Sequence, residues 1–198
     1  MPFTVGIMAC VLVYVWLIEP YVPRSAVLIP AAVVVILTAS HNFRHGDWGF
    51  SWPALAPGLW RAVVVTFAAL LVIIGAGAAV GTLHDRRDFL GSLAPLVLWG
   101  GAQQWVLQTV VLREAQRATS RAKGIGIAAV LFGAIHSPNP LLVLVTGAAA
   151  LVWCWLYDRH PNIIPLALSH GLGTLALRYA FDEAITGRLR IGAAYLRL

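Results

Sequence analysis

Seven apolar runs, separated by short polar connections, fill most of the chain. About 20 apolar residues cross a bilayer core as a helix, within a range of roughly 17 to 25. Two of the runs are shorter, and we expect their flanks or neighbouring helices to complete them. The pattern predicts an all-α, polytopic integral membrane helix bundle with about seven transmembrane helices, within a range of roughly six to eight. The predicted spans are Phe3–Leu17, Ala26–Ala39, Ala62–Leu83, Leu90–Leu112, Ile125–Ile135, Leu141–Tyr157 and Ile163–Phe181.

The connections between these runs hold most of the charged residues. They are an interfacial loop at His41–Trp60 that can include a short amphipathic helix, charged segments at His84–Asp88 and Arg113–Gly124, and a tight, proline-rich turn at His136–Pro140. Proline ends helices, which is why the last stretch predicts a turn. In the second charged segment, Glu114 and Arg117 are expected to form a solvated ion pair.

Composition supports a membrane protein. Of the 198 residues, 60% are hydrophobic and 11% are charged, and the mean hydropathy is +0.80. Soluble domains carry about 25% charged residues, so the composition excludes a soluble protein. The net charge of +6 is distributed over short loops rather than a basic stripe, which argues against a nucleic-acid partner. The lipid bilayer is therefore the first predicted partner.

Cysteines and termini add little chemistry. Cys10 and Cys154 lie inside apolar runs and are expected to behave as small hydrophobic residues. The chain starts without a basic segment, so the first apolar run is expected to be a retained span. Basic residues are balanced between the two sides, and the dense Arg113–Lys123 loop favours the cytoplasm for its side.

Polar side chains at membrane depth are concentrated in the second half of the chain. They are Gln103, Gln104, Gln108, His136, His170 and Thr174. Gln104 and Gln108 are four residues apart, as are His170 and Thr174, which places each pair on one helix face. Such residues can be interhelical hydrogen-bonding groups worth about 0.6 kcal/mol each. Polar residues inside a membrane also mark functional sites, so function is expected between residues 95 and 180.

A metal site is the weaker possibility elsewhere. His41 and His45 have the spacing of two ligands on one helix face, but the sequence offers no third ligand beside them. The polar cluster of the second half contains two imidazoles and several amides, which make a poor zinc site. The sequence therefore predicts no metal and no cofactor.

Three motifs, taken in their order along the chain, resemble the CAAX prenyl protease and bacteriocin-processing family of intramembrane peptidases (CPBP, also called Abi). "FGAIHSPNP" matches a Phe-x-x-x-His motif through Phe132 and His136, and "NIIPLALSHGLG" matches a helix with a second histidine, His170. "GGAQQWVLQTVVLRE" occupies the place of a Glu-Glu-x-x-x-Arg motif. We identify a single transmembrane domain over residues 1–198, with the family-like motifs in residues 95–174.

The resemblance implies that paired glutamates and two histidines activate a water for attack on a peptide bond, and that an asparagine after the second histidine holds the oxyanion. Here Gln103 and Gln104 replace the glutamates, Gln108 replaces the arginine and Thr174 replaces the asparagine. A carboxamide cannot accept a proton, so neither of the paired glutamines can be a general base. Glu114 lies about 15 Å further along the helix and is too far away to replace them.

The predicted catalytic residues are His136, His170, Gln103 and Gln104, and the predicted substrate-binding residues are Gln108, Phe132, Asn139 and Thr174. The first hypothesis is an endopeptidase acting on a membrane-associated or prenylated protein, with a histidine as the base. One alternative is an enzyme acting on an isoprenoid or another lipid, and a second is a non-catalytic protein that binds a peptide or lipid as an immunity or scaffold protein. The resemblance implies a bacterial cytoplasmic membrane, and the oligomeric state is left open.

Overall fold

The computed structural model describes residues 1–84 and 89–197. These residues are mainly helical and contain no β-strand, apart from a single bridge between Phe50 and Asn162. The predicted all-α class is therefore confirmed. Of the charged connection predicted at His84–Asp88, only the first residue is described and the remainder lies outside the described residues.

Each of the seven predicted spans coincides with a helix. The long helices are α1 (Pro2–Val13), α2 (Leu28–His45), α3 (Trp52–Ala79), α4 (Phe89–Val106), α6 (Arg121–Ala134), α7 (Pro140–Arg159) and α8 (Ile164–Ala180). Shorter helices are α5 (Arg113–Ala118), α9 (Glu183–Thr186) and α10 (Gly192–Tyr195). Single-turn 3-10 segments cover Glu19–Tyr21, Arg24–Val27 and Gly187–Leu189, and wider π-helical turns cover Tyr14–Ile18 and Leu107–Leu112.

Four helical segments of the described chain are long and apolar enough to cross a membrane by themselves. They are Pro2–Tyr21, Ser25–His45, Trp52–Ala79 and Pro140–Arg159. In Trp52–Ala79, only 17% of the most apolar window is buried inside the protein. Apolar side chains directed outward along a whole helix are unfavourable in water and favourable in lipid. The protein is therefore a membrane protein with helices that contact the bilayer.

The predicted extent of the interfacial loop, His41–Trp60, is wrong, because helices cover most of it. α2 continues to His45 and ends at Gly46, which adopts a left-handed conformation with φ of 69°. α3 begins at Trp52, with Pro53 in its first turn, where the missing backbone N–H of proline would have no helical partner anyway. The non-helical connection is therefore confined to the few residues between these two helices.

The chain forms two compact units. Unit 1 comprises Met1–Trp48, Val106–Trp155 and Gly187–Leu198, and unit 2 comprises Gly49–Trp105 and Leu156–Thr186. The single domain over residues 1–198 stays a prediction. In unit 1, small residues let helices approach closely: a Cβ atom on Gly133 of α6 would lie 2.9 Å from the carbonyl oxygen of Val143 in α7.

In unit 1, the expected ion pair between Glu114 and Arg117 is wrong. Glu114 is buried, and its carboxylate accepts hydrogen bonds from the backbone N–H groups of Phe3 and Thr4 at 3.4 and 2.8 Å. Arg117 instead donates to the ring of His41 at 3.2 Å. The first amides of a helix have no partner within it, so a carboxylate from elsewhere in the unit satisfies them.

In unit 2, α3 and α8 pack against each other along their length. Gly77 lies directly against the backbone of Ala180, where no larger side chain fits. Within the same pair of helices, the Thr66 hydroxyl donates to the Ser169 hydroxyl at 2.7 Å, and both residues are buried. This packing holds α8, the helix that carries His170, in a fixed position within unit 2.

Candidate functional site

The eight predicted site residues are divided equally between the two units. Unit 1 contains Gln108, Phe132, His136 and Asn139, and unit 2 contains Gln103, Gln104, His170 and Thr174. The two histidines therefore belong to different units. Each group has its own local geometry.

Glycines in unit 2 bring α4 and α8 into contact at His170. A Cβ atom on Gly100 would lie 2.9 Å from a ring carbon of His170, and a Cβ atom on Gly171 would lie 2.6 Å from a side-chain carbon of Val97. Only glycine is small enough for these two approaches. The "GG" that precedes the paired glutamines thus has a packing role, because it lets the imidazole lie against the α4 backbone.

Gln104 is fully buried and contacts His170. Its amide nitrogen Nε2 lies 3.4 Å from Nδ1 of the ring. An amide NH₂ group can only donate a hydrogen bond, so Nδ1 accepts and the ring proton is on Nε2. A carboxylate at the same position would instead accept a hydrogen bond from Nδ1–H and leave the lone pair on Nε2. A glutamate at position 104 would therefore favour the opposite tautomer of His170, in which Nε2 can accept a proton.

Gln103, beside Gln104, is half-buried. Its carbonyl oxygen Oε1 is inaccessible to solvent and has no hydrogen-bond donor within the described part of the chain. An unsatisfied buried acceptor of this kind is destabilising by about 1–3 kcal/mol, so native proteins retain few of them. A hydrogen-bond donor from a water or a bound molecule would satisfy Gln103.

Thr174 is half-buried one turn after His170 in α8.

The imidazole of His136 in unit 1 has a defined tautomer. Its Nδ1 lies 2.7 Å from the carbonyl oxygen of Phe132, which can only accept a hydrogen bond. The Thr146 hydroxyl donates its single hydrogen to the carbonyl of Leu142 at 2.6 Å, so its oxygen accepts from the same Nδ1–H at 3.1 Å. Both neighbours require the proton on Nδ1, so the neutral ring has its lone pair on Nε2. A lone pair on Nε2 is what a general base needs.

Phe132 supports this ring from the side. It is buried, and its own ring packs edge-on against His136 with centroids 5.1 Å apart and against Trp153 with centroids 6.4 Å apart. The Phe-x-x-x-His spacing thus supplies two contacts to the histidine, a carbonyl oxygen one turn earlier and an aromatic surface. Phe132 is therefore a residue that positions His136.

Asn139 is committed to the fold of unit 1. Its oxygen Oδ1 accepts a hydrogen bond from the backbone N–H of Leu142 at 3.2 Å and so caps the start of α7. Its amide nitrogen donates to the carbonyl oxygen of Arg190 at 3.2 Å. Both ends of the carboxamide bind protein, which favours a structural role over the predicted contact with substrate.

Gln108 lies in the π-helical turn Leu107–Leu112 and is fully buried. In a π-helix the hydrogen bonds join residues i and i+5, so the four-residue rule for an α-helical face does not extend from Gln104 through this turn. Single π-helical turns inside longer helices are frequent at functional sites. No feature of the sequence signals this turn.

Sequence reasoning missed three hydroxyl residues that touch or adjoin the histidines. Thr146 bonds to His136, and Thr66 bonds to Ser169, the residue before His170. Thr66 and Thr146 each stand alone in a long apolar run of the sequence, whereas Ser169 directly precedes His170. An isolated hydroxyl residue at membrane depth was the available signal, since polar groups there seek a partner inside the protein.

His41 and His45, the two histidines with the spacing of metal ligands, make other contacts. In unit 1 the rings of His41 and His45 are close, with centroids 4.5 Å apart, but Nε2 of His41 faces the guanidinium of Arg117. Within residues 1–84 and 89–197, no three His, Cys, Asp or Glu side chains are grouped as metal ligands would be.

The comparisons with known proteins agree with the motifs. Residues 86–176 match the family model described as type II CAAX prenyl endopeptidase Rce1-like. The resemblance predicted from "FGAIHSPNP" and the later histidine helix is thereby confirmed for this segment. No curated protein and no solved structure matches the chain at a significant level.

Proposed function

Because residues 86–176 match the type II CAAX prenyl endopeptidase Rce1-like family, we propose that this membrane protein is an intramembrane endopeptidase. Its substrate would be a membrane-associated or prenylated protein, and its location the bacterial cytoplasmic membrane. One observation carries the proposal: the proton on Nδ1 of His136 is fixed by Phe132 and Thr146, so that Nε2 retains the lone pair. No described residue hydrogen-bonds to that Nε2.

In the proposed reaction His136 is the general base. Its Nε2 accepts a proton from water as the water oxygen attacks the carbonyl carbon of the scissile peptide bond. The imidazolium then gives this proton to the leaving nitrogen as the carbon–nitrogen bond breaks, which yields a carboxylic acid and an amine. The Nδ1–H group keeps its hydrogen bond to the Phe132 carbonyl oxygen throughout, and this bond stabilises the transient positive charge of the imidazolium.

His170 would have a different role. With Nδ1 bonded to the Gln104 amide, its Nε2–H is a hydrogen-bond donor, and within unit 2 it would bind a carbonyl oxygen of the substrate. The unsatisfied oxygen of Gln103 would accept a hydrogen bond from a substrate amide. The lost carboxylates remove a positioned base that typically contributes about 10²- to 10⁴-fold, so turnover is expected to be slow.

The second candidate is a non-catalytic protein that binds a prenylated peptide or lipid. The specific observation in its favour is the neutral Gln104–His170 pair, which supplies hydrogen-bonding groups without a carboxylate. Under this proposal the buried amides recognise a bound carbonyl, and no bond is broken.

One experiment distinguishes the two candidates. The full chain, purified into lipid nanodiscs, is incubated with a panel of prenylated and membrane-tethered peptides, and products are detected by mass spectrometry. We expect slow cleavage that is lost in His136→Ala and reduced in His170→Ala. His84→Ala is the matched control, because His84 is a histidine of the surface paired with Asp182. Cleavage that persists in His136→Ala excludes the base assigned here, whereas peptide binding without any product supports the second candidate.

A further inference from the structure

Three segments of unit 1 meet at one end of α1. The carboxylate of Glu114 bonds to the first amides of α1, at Phe3 and Thr4. The guanidinium of Arg117, in α5, bonds to His41 near the end of α2. The start of α1, the end of α2 and the segment of α5 are therefore neighbours, and we call this region the basic end.

The basic end is rich in cations. Its basic side chains are Arg44, Arg113 and Arg117, together with Arg121 and Lys123 at the start of α6, where the Arg121 carbonyl oxygen accepts a hydrogen bond from Gln116 of α5 at 3.4 Å. Its acidic side chains are Asp47 and Glu114. Both acids are engaged within the protein. Asp47 pairs with Nε of Arg113 at 2.9 Å, and Glu114 caps α1.

Glu114 stays ionised in this position. Burial alone would raise the pKa of its carboxyl group, but the hydrogen bonds from Thr4 and Phe3, together with the positive charge of the N-terminus, outweigh burial and leave the pKa below its ordinary value. Its negative charge is directed at the helix amides. Arg44, Arg117 and Lys123 are all exposed, and within the described chain none of them has an ion-pair partner.

Arg117 and Arg44 are held in place without being neutralised. Arginine can only donate, so Nε2 of His41 accepts from Arg117, and Nδ1–H of His41 donates to Asn42 Oδ1 at 3.0 Å. Asn42 in turn donates to the Thr109 hydroxyl at 2.9 Å, and His41, Asn42 and Thr109 are all fully buried. This buried chain of hydrogen bonds fixes the Arg117 guanidinium at the surface.

Arg44 is ordered by an aromatic ring. Its guanidinium carbon lies 5.5 Å from the centroid of the Phe3 ring, within the range of a cation–π contact. Two exposed guanidinium groups are thus pre-positioned at one end of a pair of membrane helices. An anion bound there would not have to order these side chains itself.

The basic end lies at the end of membrane-spanning helices, and this position favours a lipid headgroup as the bound anion. α1 begins and α2 ends there, and both belong to segments able to span a bilayer. Two aromatic residues follow Asn42, Phe43 with 83% and Trp48 with 46% of their surface exposed, as in the aromatic belt of a membrane interface. We propose that the basic end binds the phosphodiester headgroup of an anionic phospholipid, with Arg44 and Arg117 as the principal contacts and Lys123 as a further cation.

The proposal is tested with the purified full chain in detergent. Phosphatidylglycerol and phosphatidylcholine with identical acyl chains are titrated separately, and bound lipids are counted by native mass spectrometry. We expect preferential binding of phosphatidylglycerol. The double variant Arg44→Gln/Arg117→Gln should weaken it by roughly 25-fold, at about fivefold for each cation, and leave phosphatidylcholine binding unchanged.

A matched control removes two cations at the other end of unit 1. Arg190→Gln/Arg197→Gln fits this purpose, because Arg197 donates to the carbonyl oxygen of Pro20, beyond the far end of α1. The control should retain the preference for phosphatidylglycerol. If Arg44→Gln/Arg117→Gln fails to fold, Lys123→Gln, an exposed change outside the hydrogen-bonded chain, should still weaken binding by about fivefold.

Three results would overturn the proposal. They are equal binding of the two lipids, phosphatidylglycerol binding unaffected by Arg44→Gln/Arg117→Gln or by Lys123→Gln, and displacement of phosphatidylglycerol by inorganic phosphate at constant ionic strength. The last result would mean that the basic end binds a soluble phosphate. None of these measurements depends on peptide cleavage, so the lipid site and the proposed endopeptidase activity stand or fall separately.

Discussion

His136 donates its Nδ1 proton to the carbonyl oxygen of Phe132, one helical turn earlier, at 2.7 Å. The same proton is shared with the Thr146 hydroxyl oxygen at 3.1 Å. In hydrolases that use a histidine base, a group bonded to one ring nitrogen fixes the tautomer and leaves the other nitrogen as the base. Here a backbone carbonyl and a threonine hydroxyl provide that fixing group.

Thr146→Val should reduce peptide cleavage by roughly 2- to 10-fold, because one acceptor of the Nδ1 proton is lost and the Phe132 carbonyl remains. Thr146→Ser should restore most of the rate, since serine retains the hydroxyl oxygen. The measurement is kcat as a function of pH, together with the unfolding temperature. A purely structural role would lower the unfolding temperature and leave the pH profile of the remaining activity unchanged, which would contradict the positioning role.

Gln104→Glu should lower the cleavage rate by roughly tenfold, because it removes the Nε2–H donor that His170 offers to the substrate. A carboxylate at this position accepts from Nδ1–H of His170 and returns the lone pair to Nε2, the reverse of the present tautomer. Gln103→Glu is the control, since it adds the same charge one residue away on another side of the helix. If both variants fold and Gln104→Glu is as active as Gln103→Glu, the tautomer of His170 does not limit the reaction.

Asn139→Ala should lower the free energy of unfolding by roughly 1–2 kcal/mol, through loss of the cap on α7 and of the bond to the Arg190 carbonyl. Asn139→Asp retains the capping oxygen and loses the amide donor, so it should be less destabilising than alanine. Unfolding in detergent, followed by intrinsic tryptophan fluorescence, measures both. Unchanged stability with weaker substrate binding would instead restore the predicted contact of Asn139 with substrate.

Stability should decline in acid through Glu114. Its pKa in the folded protein lies below the ordinary value of 4.5, because the hydrogen bonds from Thr4 and Phe3 and the positive charge of the N-terminus together outweigh burial. Its contribution is therefore fully present above pH 4.5 and is lost as the pH falls through the lower folded value. Glu114→Gln keeps one acceptor oxygen and removes the titration. We expect the unfolding temperature of this variant to be lower at neutral pH than that of the unmodified protein, and to fall less as the pH is lowered from 4.5 through the folded pKa of Glu114.

The basic end should lie on the cytoplasmic side, because short loops rich in Lys and Arg are retained there. The two native cysteines are first removed by Cys10→Ser and Cys154→Ser. In this background, Lys123→Cys should react with a membrane-impermeant maleimide only after the membrane is permeabilised. A cysteine at Arg197, near Pro20 beyond the far end of α1, should react in intact cells. The opposite pattern of labelling would invert this orientation.

The sequence by itself determined the all-α class and the positions of the helices, because both follow from the length and period of apolar runs in a bilayer. It also located His136 and His170 through motifs whose residues are near each other along the chain, such as Phe132 and His136. Its boundaries failed at His41–Trp60, because proline in the first turn of α3 and glycine after α2 are compatible with longer helices than the polar composition suggested.

Only the tertiary structure decided which hydrogen bonds these polar residues make. The tautomers of His136 and His170 depend on Thr146 and Gln104, which lie on other helices, and the partner of Glu114 is more than a hundred residues away in the chain. Spacing along one helix cannot predict such pairs, because a buried polar group bonds to whichever partner the packing places beside it. The glutamines of "GGAQQWVLQ" were visible in the sequence, but the direction of the hydrogen bond between Gln104 and His170 required the contact of α4 with α8.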